Sequence, residues 1–354
     1  MPTSLRPRPP RCAARLVVAG AVSAAALLVA PLAGATGPGS AARGPSRPPA
    51  SATTATMVTA PSAPTATTAP ATPTATAPPA PGGTVAWRPE GRSAASRPLV
   101  YRGNVNGVEV AWIDPQLTRP VFVPGTGDPG GPWSWGGQVA PEVRGQLVAA
   151  FNGGFKMGDV AGGWFHDGRT LKTLVPGQAS LVIYADGRAV VGEWGRDVDL
   201  GPDVVSVRQN LALLVDGGAP VPAAGNPGAW GGSVAGVATA RSGAGVDASG
   251  ALVLAQARVS PQGLAEALAA AGALRAMQLD INPDWTTLVL YQQNPDGSVS
   301  GGRTMGSGGP GGLYLAPYAR DFFAVLLEPH VVPGGAGTIG VPPVAVTARI
   351  RLAQ

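Results

Sequence analysis

Cysteine is almost missing from this chain: Cys12 is the only one in 354 residues. It precedes an apolar run instead of ending it, so it is not placed as a lipid-attachment cysteine. Everything after residue 12 must do without a disulfide, a thiol nucleophile or a cysteine-held zinc. Histidine is nearly as scarce. A Ser-His-Asp triad or a histidine metal site would have to use His166 or His330. The first reads as a hairpin tip in Phe165-His166-Asp167-Gly168, and the second precedes a Pro/Gly-rich stretch. Charge is sparse and never gathers into a Lys/Arg block. Of the formal +5, Arg6, Arg8, Arg11 and Arg15 supply four charges, and the remainder is close to neutral against 20 acidic residues. That balance argues against a nucleic-acid partner, whose phosphates demand a basic face. Carboxylates, amides and arginines are what remains for chemistry. That set suits glycosyl or sugar-phosphate reactions, in which carboxylates do acid–base work and arginine holds phosphate.

The N-terminus is organised as an address. Four arginines without an acid lead into the apolar run Leu16 to Ala35, which closes on Ala33-Gly34-Ala35, a small-x-small cleavage pattern. Residues 1–35 are therefore expected to be a secretory signal peptide. An uncleaved anchor is the competing reading, because about 20 apolar residues can span a bilayer. In either case the rest is expected outside the cytoplasm, secreted or in the cell envelope, with a membrane involved only through this segment. Residues 36–96 are mostly Ala, Pro, Thr, Ser and Gly. They lack the apolar surface to offset their ordering entropy, so a disordered, partly polyproline-II linker is expected. Residues 97–354 are left as one globular domain.

That domain reads as strands joined by glycine turns. Val100 to Val105 and Val108 to Asp114 flank Asn106-Gly107, the signal for a type I′ hairpin. Further hairpins are expected across Asp186-Gly187 and Ala248-Ser249-Gly250. Val204 to Val215 reads as two consecutive strands, and Thr286 to Tyr291, Asp321 to Leu327 and Val344 to Leu352 as single ones. Ser260 and Pro261 cap a helix that Gly272 ends, with Leu264, Leu268 and Ala271 on one face. A short helix over Pro141 to Gln146 precedes the apolar Leu147 to Phe151. The expected class is α+β, with mixed or antiparallel sheets and one or two packed helices.

The domain centres on Ala276-Met277-Gln278-Leu279-Asp280-Ile281-Asn282-Pro283-Asp284-Trp285. It reads as a buried strand that Pro283, lacking an N–H, brings to an abrupt stop. Asp280, Asn282, Asp284 and Trp285 are thereby delivered to a strand end. Two readings stand: turn residues satisfying local backbone, or the polar wall of a site. Asp280, Asn282 and Asp284 at alternate positions also offer oxygens to Ca²⁺, although the glycine and glutamate of a calcium loop are missing. No other cofactor is expected.

Other stretches join this one. In Phe151-Asn152-Gly153-Gly154-Phe155 the paired glycines permit close approach of backbone to a ligand, and Asn152 adds an amide. Without those ligands the same residues make a plain turn. Arg208-Gln209-Asn210 sits inside apolar sequence, where a guanidinium must meet an acid or a bound anion; Asp216 and Asp203 are the expected acids. Arg241-Ser242-Gly243-Ala244-Gly245 places an arginine before a glycine-softened strand, as a phosphate clamp or a solvated side chain. Leu214-Val215-Asp216-Gly217-Gly218 ends on an acid. Trp133, Trp135, Trp164, Trp230 and Trp285 could stack on sugar faces or simply pack loops.

The ordered set from Phe151-Asn152-Gly153-Gly154-Phe155 through Leu214-Val215-Asp216-Gly217, Arg241-Ser242-Gly243-Ala244-Gly245-Val246 and the Gly263 to Ala273 helix to Ala276-Met277-Gln278-Leu279-Asp280 resembles the phosphodiester glycosidase domain family, in a secreted bacterial subgroup. The resemblance runs over roughly residues 148–327. It implies hydrolysis of a sugar joined through its anomeric carbon to a phosphodiester. Asn152, Arg241 and Asp280 match the family's strand-end polar residues. The family's acid is usually followed by a glycine-rich turn, and Ile281-Asn282-Pro283 here is stiffer and offers fewer backbone N–H groups.

The expectation is an exported hydrolase of a sugar-1-phosphodiester in an envelope glycopolymer or glycoconjugate. Asp280 is the principal carboxylate, with Asp216 or Asp284 as its partner. Arg208 and Arg241 hold phosphate, Asn152 a sugar hydroxyl, and Gly153, Gly154, Asn210, Asn282 and Trp285 complete substrate binding. The alternative is a non-catalytic module that binds a glycan or phosphoglycan.

Overall fold

The computed structural model describes residues 79–231, 238–305 and 312–328. All belong to the larger of two units, Pro73–Gln354; the other is Met1–Thr72. The expected signal peptide or anchor, most of the linker, Cys12, His330 and the expected strand at Val344 to Leu352 lie outside the described residues.

Three sheets form the domain, and every strand pair in them is antiparallel. The largest has eight strands in the order Arg88–Ala94, Arg97–Val105, Val108–Ile113, Leu252–Val259, Thr239–Val246, Arg275–Gln278, Leu213–Asp216, Ala219–Pro220. A second has five: Arg169–Lys172, Trp164–His166, Val204–Gln209, Ala179–Tyr184, Ala189–Glu193. The third runs Val299–Met305, Leu288–Gln293, Leu147–Asn152, Phe322–Leu327, Thr118–Val123. Among the described residues a single α-helix, Pro261–Ala270, accompanies them with a few 3₁₀ turns. Among the described residues the fold is thus mostly β, with less helix than α+β implies and antiparallel rather than mixed sheets.

Side-chain alternation explains the layering. Leu254, Met277 and Leu279 face one way from the large sheet and meet Leu181 and Trp164 of the second sheet and Phe151 and Phe323 of the third in a common core. Val253, Ala255 and Ala276 face the other way and meet Leu264 and Leu268 of the helix. The Ser260 hydroxyl accepts from Gly263 N at the helix start, and Gly272, at φ 94°, lies just past its end. Asn106 and Gly107 both take positive φ, as a type I′ turn requires.

The folded unit starts before residue 97. Arg88–Ala94 pairs with Arg97–Val105 through a turn in which Ala95 and Ser96 hold φ of 48° and 60°. Arg92 donates to Gly145 O, in the 3₁₀ turn Pro141–Gln146, and to Leu147 O of the third sheet. Composition alone hid this strand, because its tie to the domain lies in distant carbonyls.

Candidate active site

Antiparallel pairing decides which strand ends meet. Gly243 faces Gln278 and Ser242 faces Gln256, while Phe322 faces Asn152. The ends of the Leu147–Asn152, Leu252–Val259 and Arg275–Gln278 strands therefore converge with the beginnings of Thr239–Val246, Leu288–Gln293 and Phe322–Leu327. Asp280 lies at this junction. Its carbonyl accepts from Ser242 N at 3.0 Å, so the backbone is held by the sheet up to the residue where the chain turns away.

The turn reading and the site reading of Asp280 are both realised, by different oxygens. Oδ1 accepts from Ile281 N (2.7 Å) and Asn282 N (2.9 Å). Asn282 Oδ1 in turn accepts from Asp284 N. Oδ2 is buried, has no hydrogen-bond partner, and lies 3.8 Å from Arg320 Nη2. Burial pushes the carboxyl up to about 6, against the opposing pull of the two N–H groups, Arg320 and Arg208.

Neighbouring buried polar atoms are likewise left over. Asn152 Oδ1 accepts from Thr287 N, but its Nδ2 has no partner. Ser242 Oγ, Gln256 Oε1, Thr286 Oγ1, Arg241 Nη2 and Arg320 Nη1 have none either. Native proteins pair most such atoms, and each exception asks for a reason.

The arginines divide sharply. Arg208 is fully buried; Nε donates to Asp321 Oδ2 (2.8 Å), Nη1 to Gln209 O and Nη2 to Phe155 O. Its acid is Asp321, not Asp216 or Asp203, and each of its three nitrogens already donates within the protein. Asp321 also accepts from Trp164 Nε1 at 3.0 Å, and burial raises its pKa in spite of Arg208. Arg241 is fully buried with carbonyls and an amide around it: Val259 O, Trp230 O and Gln278 Oε1. Burial lowers its pKa to about 10. Arg320, which the sequence reading missed, is 6% exposed. Its Nη2 donates to Gly154 O at 2.7 Å, Nε faces Asp128 Oδ2 at 3.3 Å, and Cζ lies 4.3 Å from the Trp285 ring centre. Lys156 Nζ sits 4.7 Å from the same ring.

Gly153 and Gly154 serve a turn that the protein itself fills. Gly153 N donates to Asp321 O, and Phe155 N to Asn210 Oδ1. Gly154 holds φ 147°, and a Cβ there would collide with the Asn210 amide. Asn210 positions this turn, and the expected anion nest is closed by these bonds.

Two acids fall elsewhere. Leu213 faces Met277 in antiparallel register, so Asp216 lies at the far end of the large sheet from Asp280. There it pairs with Arg196 (2.8 Å) and Arg275 (3.2 Å) and is not a partner carboxylate for Asp280. Asp284 is exposed on the turn. Of the tryptophans, Trp164 and Trp230 are buried in the core, Trp133 stacks on Arg169, and the Trp285 ring lies against Arg320 beside Asp280. Among the described residues no group of three or more His, Cys, Asp or Glu is arranged to hold a metal. The oxygens considered for Ca²⁺, Asp280 Oδ1 and Asn282 Oδ1, face backbone N–H groups. His166 meets Ser206 Oγ within an aromatic cluster, and burial lowers its pKa to about 4.

Besides Arg320 and Lys156, the reading missed Tyr318, whose pKa is raised by burial and by the nearby charges of Asp280 and Asp284. A signal was present: Arg320-Asp321 stands directly before the apolar Phe322–Leu327, just as Arg208 is embedded in apolar sequence.

No family model matches the chain, and no curated protein does. Among solved structures it is similar to the catalytic domain of zebrafish N-acetylglucosamine-1-phosphodiester α-N-acetylglucosaminidase, auto-inhibited by its pro-peptide, at 18% identity and TM-score 0.41, over 69% of this chain and 88% of that one. A hypothetical protein from Synechocystis aligns at 15% identity and TM-score 0.36, over 65% and 62%. A Burkholderia pseudomallei protein named for export aligns at 14% and 0.35, over 66% and 76%. Superpositions this loose assign neither family nor activity. Among the described residues no helix is long and apolar enough to cross a membrane.

Proposed function

We propose that this protein is an exported hydrolase of sugar-1-phosphodiesters, with Asp280 as its working carboxylate. The observation that carries the reading is Asp280 Oδ2: a buried oxygen without a hydrogen-bond partner, 3.8 Å from a guanidinium nitrogen, at a strand junction where Asn152 Nδ2 and Ser242 Oγ are also unpaired. The resemblance of the sequence motifs to phosphodiester glycosidases supplies the reaction. Water adds to the anomeric carbon, the C1–O bond breaks, and its electron pair leaves on the phosphate oxygen as a phosphomonoester. Such a leaving group is a weak base and needs charge stabilisation more than a proton. The carboxylate's place is therefore on the sugar side, ionised, as nucleophile or as base for water. Asn152 Nδ2, Ser242 Oγ and Gln256 Oε1 are free to meet sugar hydroxyls.

Asp280 Oδ2 and Arg320 Nη1 are both shielded from water. Substrate must therefore displace a neighbouring side chain, and the half-buried Trp285, its ring centre 4.3 Å from Arg320 Cζ, is the candidate. This shielding also favours a second reading, a phosphoglycan-binding module without turnover.

The test is to incubate the purified protein and Asp280→Asn with N-acetylglucosamine-1-phosphodiesters and with isolated envelope glycopolymer, measuring reducing sugar and phosphomonoester. Release by the wild type alone, with unchanged circular dichroism, supports the hydrolase. Retention of polymer by both without product turns the case to the binding module.

A further inference from the structure

We propose that Lys156 and Arg320, rather than Arg208 or Arg241, bind the phosphate of the substrate, and that they prefer a singly charged diester to a doubly charged monoester; this rests on the sugar-phosphodiester reading above. Arg320 is 6% exposed, and its Nη1 has no partner among the described residues. A buried guanidinium N–H without an acceptor is costly, and a phosphate oxygen is the acceptor its geometry suits best. Arg320 and Lys156 line one cleft of ≈ 410 Å³ together with Asp128 and Asp159. Both cations also flank the Trp285 indole, which forms a wall beside them.

Arg208 donates from all three nitrogens to protein acceptors, is fully buried and does not line the cleft. Arg241 points to carbonyls on the helix-covered side of the large sheet and does not line the cleft. The cleft's own charges set the preference. Asp128 Oδ2 accepts from Met157 N and faces Arg320 Nε, and Asp159 is exposed on the same rim. Two cations against two carboxylates leave the lining near neutral, with Asp280 beyond it. Arg320 Nη1 and Lys156 Nζ are the donors for one charged phosphate oxygen, and a second charge finds no further cation and faces Asp128, Asp159 and Asp280. The same balance helps expel the monoester product.

The test measures binding to the full-length protein at pH 8 by calorimetry. The probes are the methyl diester of N-acetylglucosamine 1-phosphate, N-acetylglucosamine 1-phosphate itself, and the neutral methyl glycoside. Lys156→Gln is compared with wild type, and Arg169→Gln, a surface arginine outside the cleft, is the control. The expected result is a diester bound about tenfold or more tightly than the glycoside, an advantage of the size one charge-assisted hydrogen bond brings. Most of it should be lost in Lys156→Gln, with glycoside affinity unchanged in every variant. Equal affinity of wild type and Lys156→Gln for the diester overturns the proposal, as does a monoester bound as well as the diester. Product is assayed in the same samples. Turnover with no effect of Lys156→Gln on KM sinks this assignment and leaves the hydrolase standing. Lys156-dependent diester binding without product does the reverse.

Discussion

The two ends of the eight-stranded sheet carry the same residue types and treat them in opposite ways. At one end Arg196, Asp197, Asp216 and Arg275 form a closed lattice in which each charge meets an opposite one at 2.8–3.2 Å. Three of the four side chains are 33–44% exposed, so water supplies whatever the lattice does not. At the other end Asp280, Arg320, Arg241 and Asn152 are buried, and each keeps an atom without a partner. Neither acids nor arginines as such mark a site. What distinguishes the Asp280 end is that its polar groups gave up water without receiving a full set of bonds in return, an arrangement that persists where a ligand completes it.

The largest expected break in this comparison is Asp280→Asn. Turnover of a sugar-1-phosphodiester should fall by about 10²–10⁴-fold, the range for a positioned acid–base group. The fold should survive, because an Asn Oδ1 can still accept from Ile281 N and Asn282 N. Steady-state rates beside circular dichroism decide it, and an active variant would remove Asp280 from its role.

Next comes the ion pair buried in the core, Arg208 with Asp321 Oδ2 at 2.8 Å. Arg208→Gln leaves the Asp321 carboxylate in the core without its cation. Breaking a buried pair from one side costs about 3–5 kcal/mol, so the denaturant midpoint should drop steeply. A mild loss of stability combined with a large rise in KM would instead return Arg208 to substrate binding.

Asp280 also predicts a pH dependence. Its folded pKa, about 6, lies above the ordinary 3.8, so the folded state binds this proton more tightly than the unfolded chain does. Its contribution to stability is full below about pH 4 and is lost as pH rises through about 6. Asp280→Asn cannot lose it. Relative to wild type, the variant should gain up to about 3 kcal/mol between pH 4 and pH 7.5, the free-energy equivalent of the shift. Turnover in the wild type should rise over the same interval, as the carboxylate becomes ionised. Stability curves of the two proteins that stay parallel across this range would mean that Asp280 is not held in a costly state.

Much of this architecture was legible locally. Asn106-Gly107, Asp186-Gly187 and the Ser260-Pro261 cap each act within a few residues, and the turn at Pro283 stops the strand that carries Asp280. What could not be read was partnership across distance. Asp216 and Asp280 both look like acids at strand ends, and only the antiparallel register of Leu213 with Met277 sends them to opposite ends. Arg208 and Asp321 are 113 residues apart in sequence. Arg320 and Asp321 are adjacent, yet one meets Gly154 O beside Asp280 and the other Arg208 in the core, because successive side chains point to opposite sides of an extended chain.

The smallest expected effect sharpens the comparison from its quiet end. Asp216→Asn removes one member of the exposed lattice, where Arg196 keeps Asp197 at 2.8 Å and Arg275 keeps it at 3.1 Å. Exposed pairs are screened by water and typically contribute about 0–1 kcal/mol, so stability should move by no more than that and turnover should stay at the wild-type level. High salt should shrink even this difference, while leaving the effect of Arg208→Gln largely in place, since buried charges are screened far less. A large loss of turnover in Asp216→Asn would mean that the two ends of the sheet are coupled, and that the closed lattice holds the strand carrying Asp280 in register.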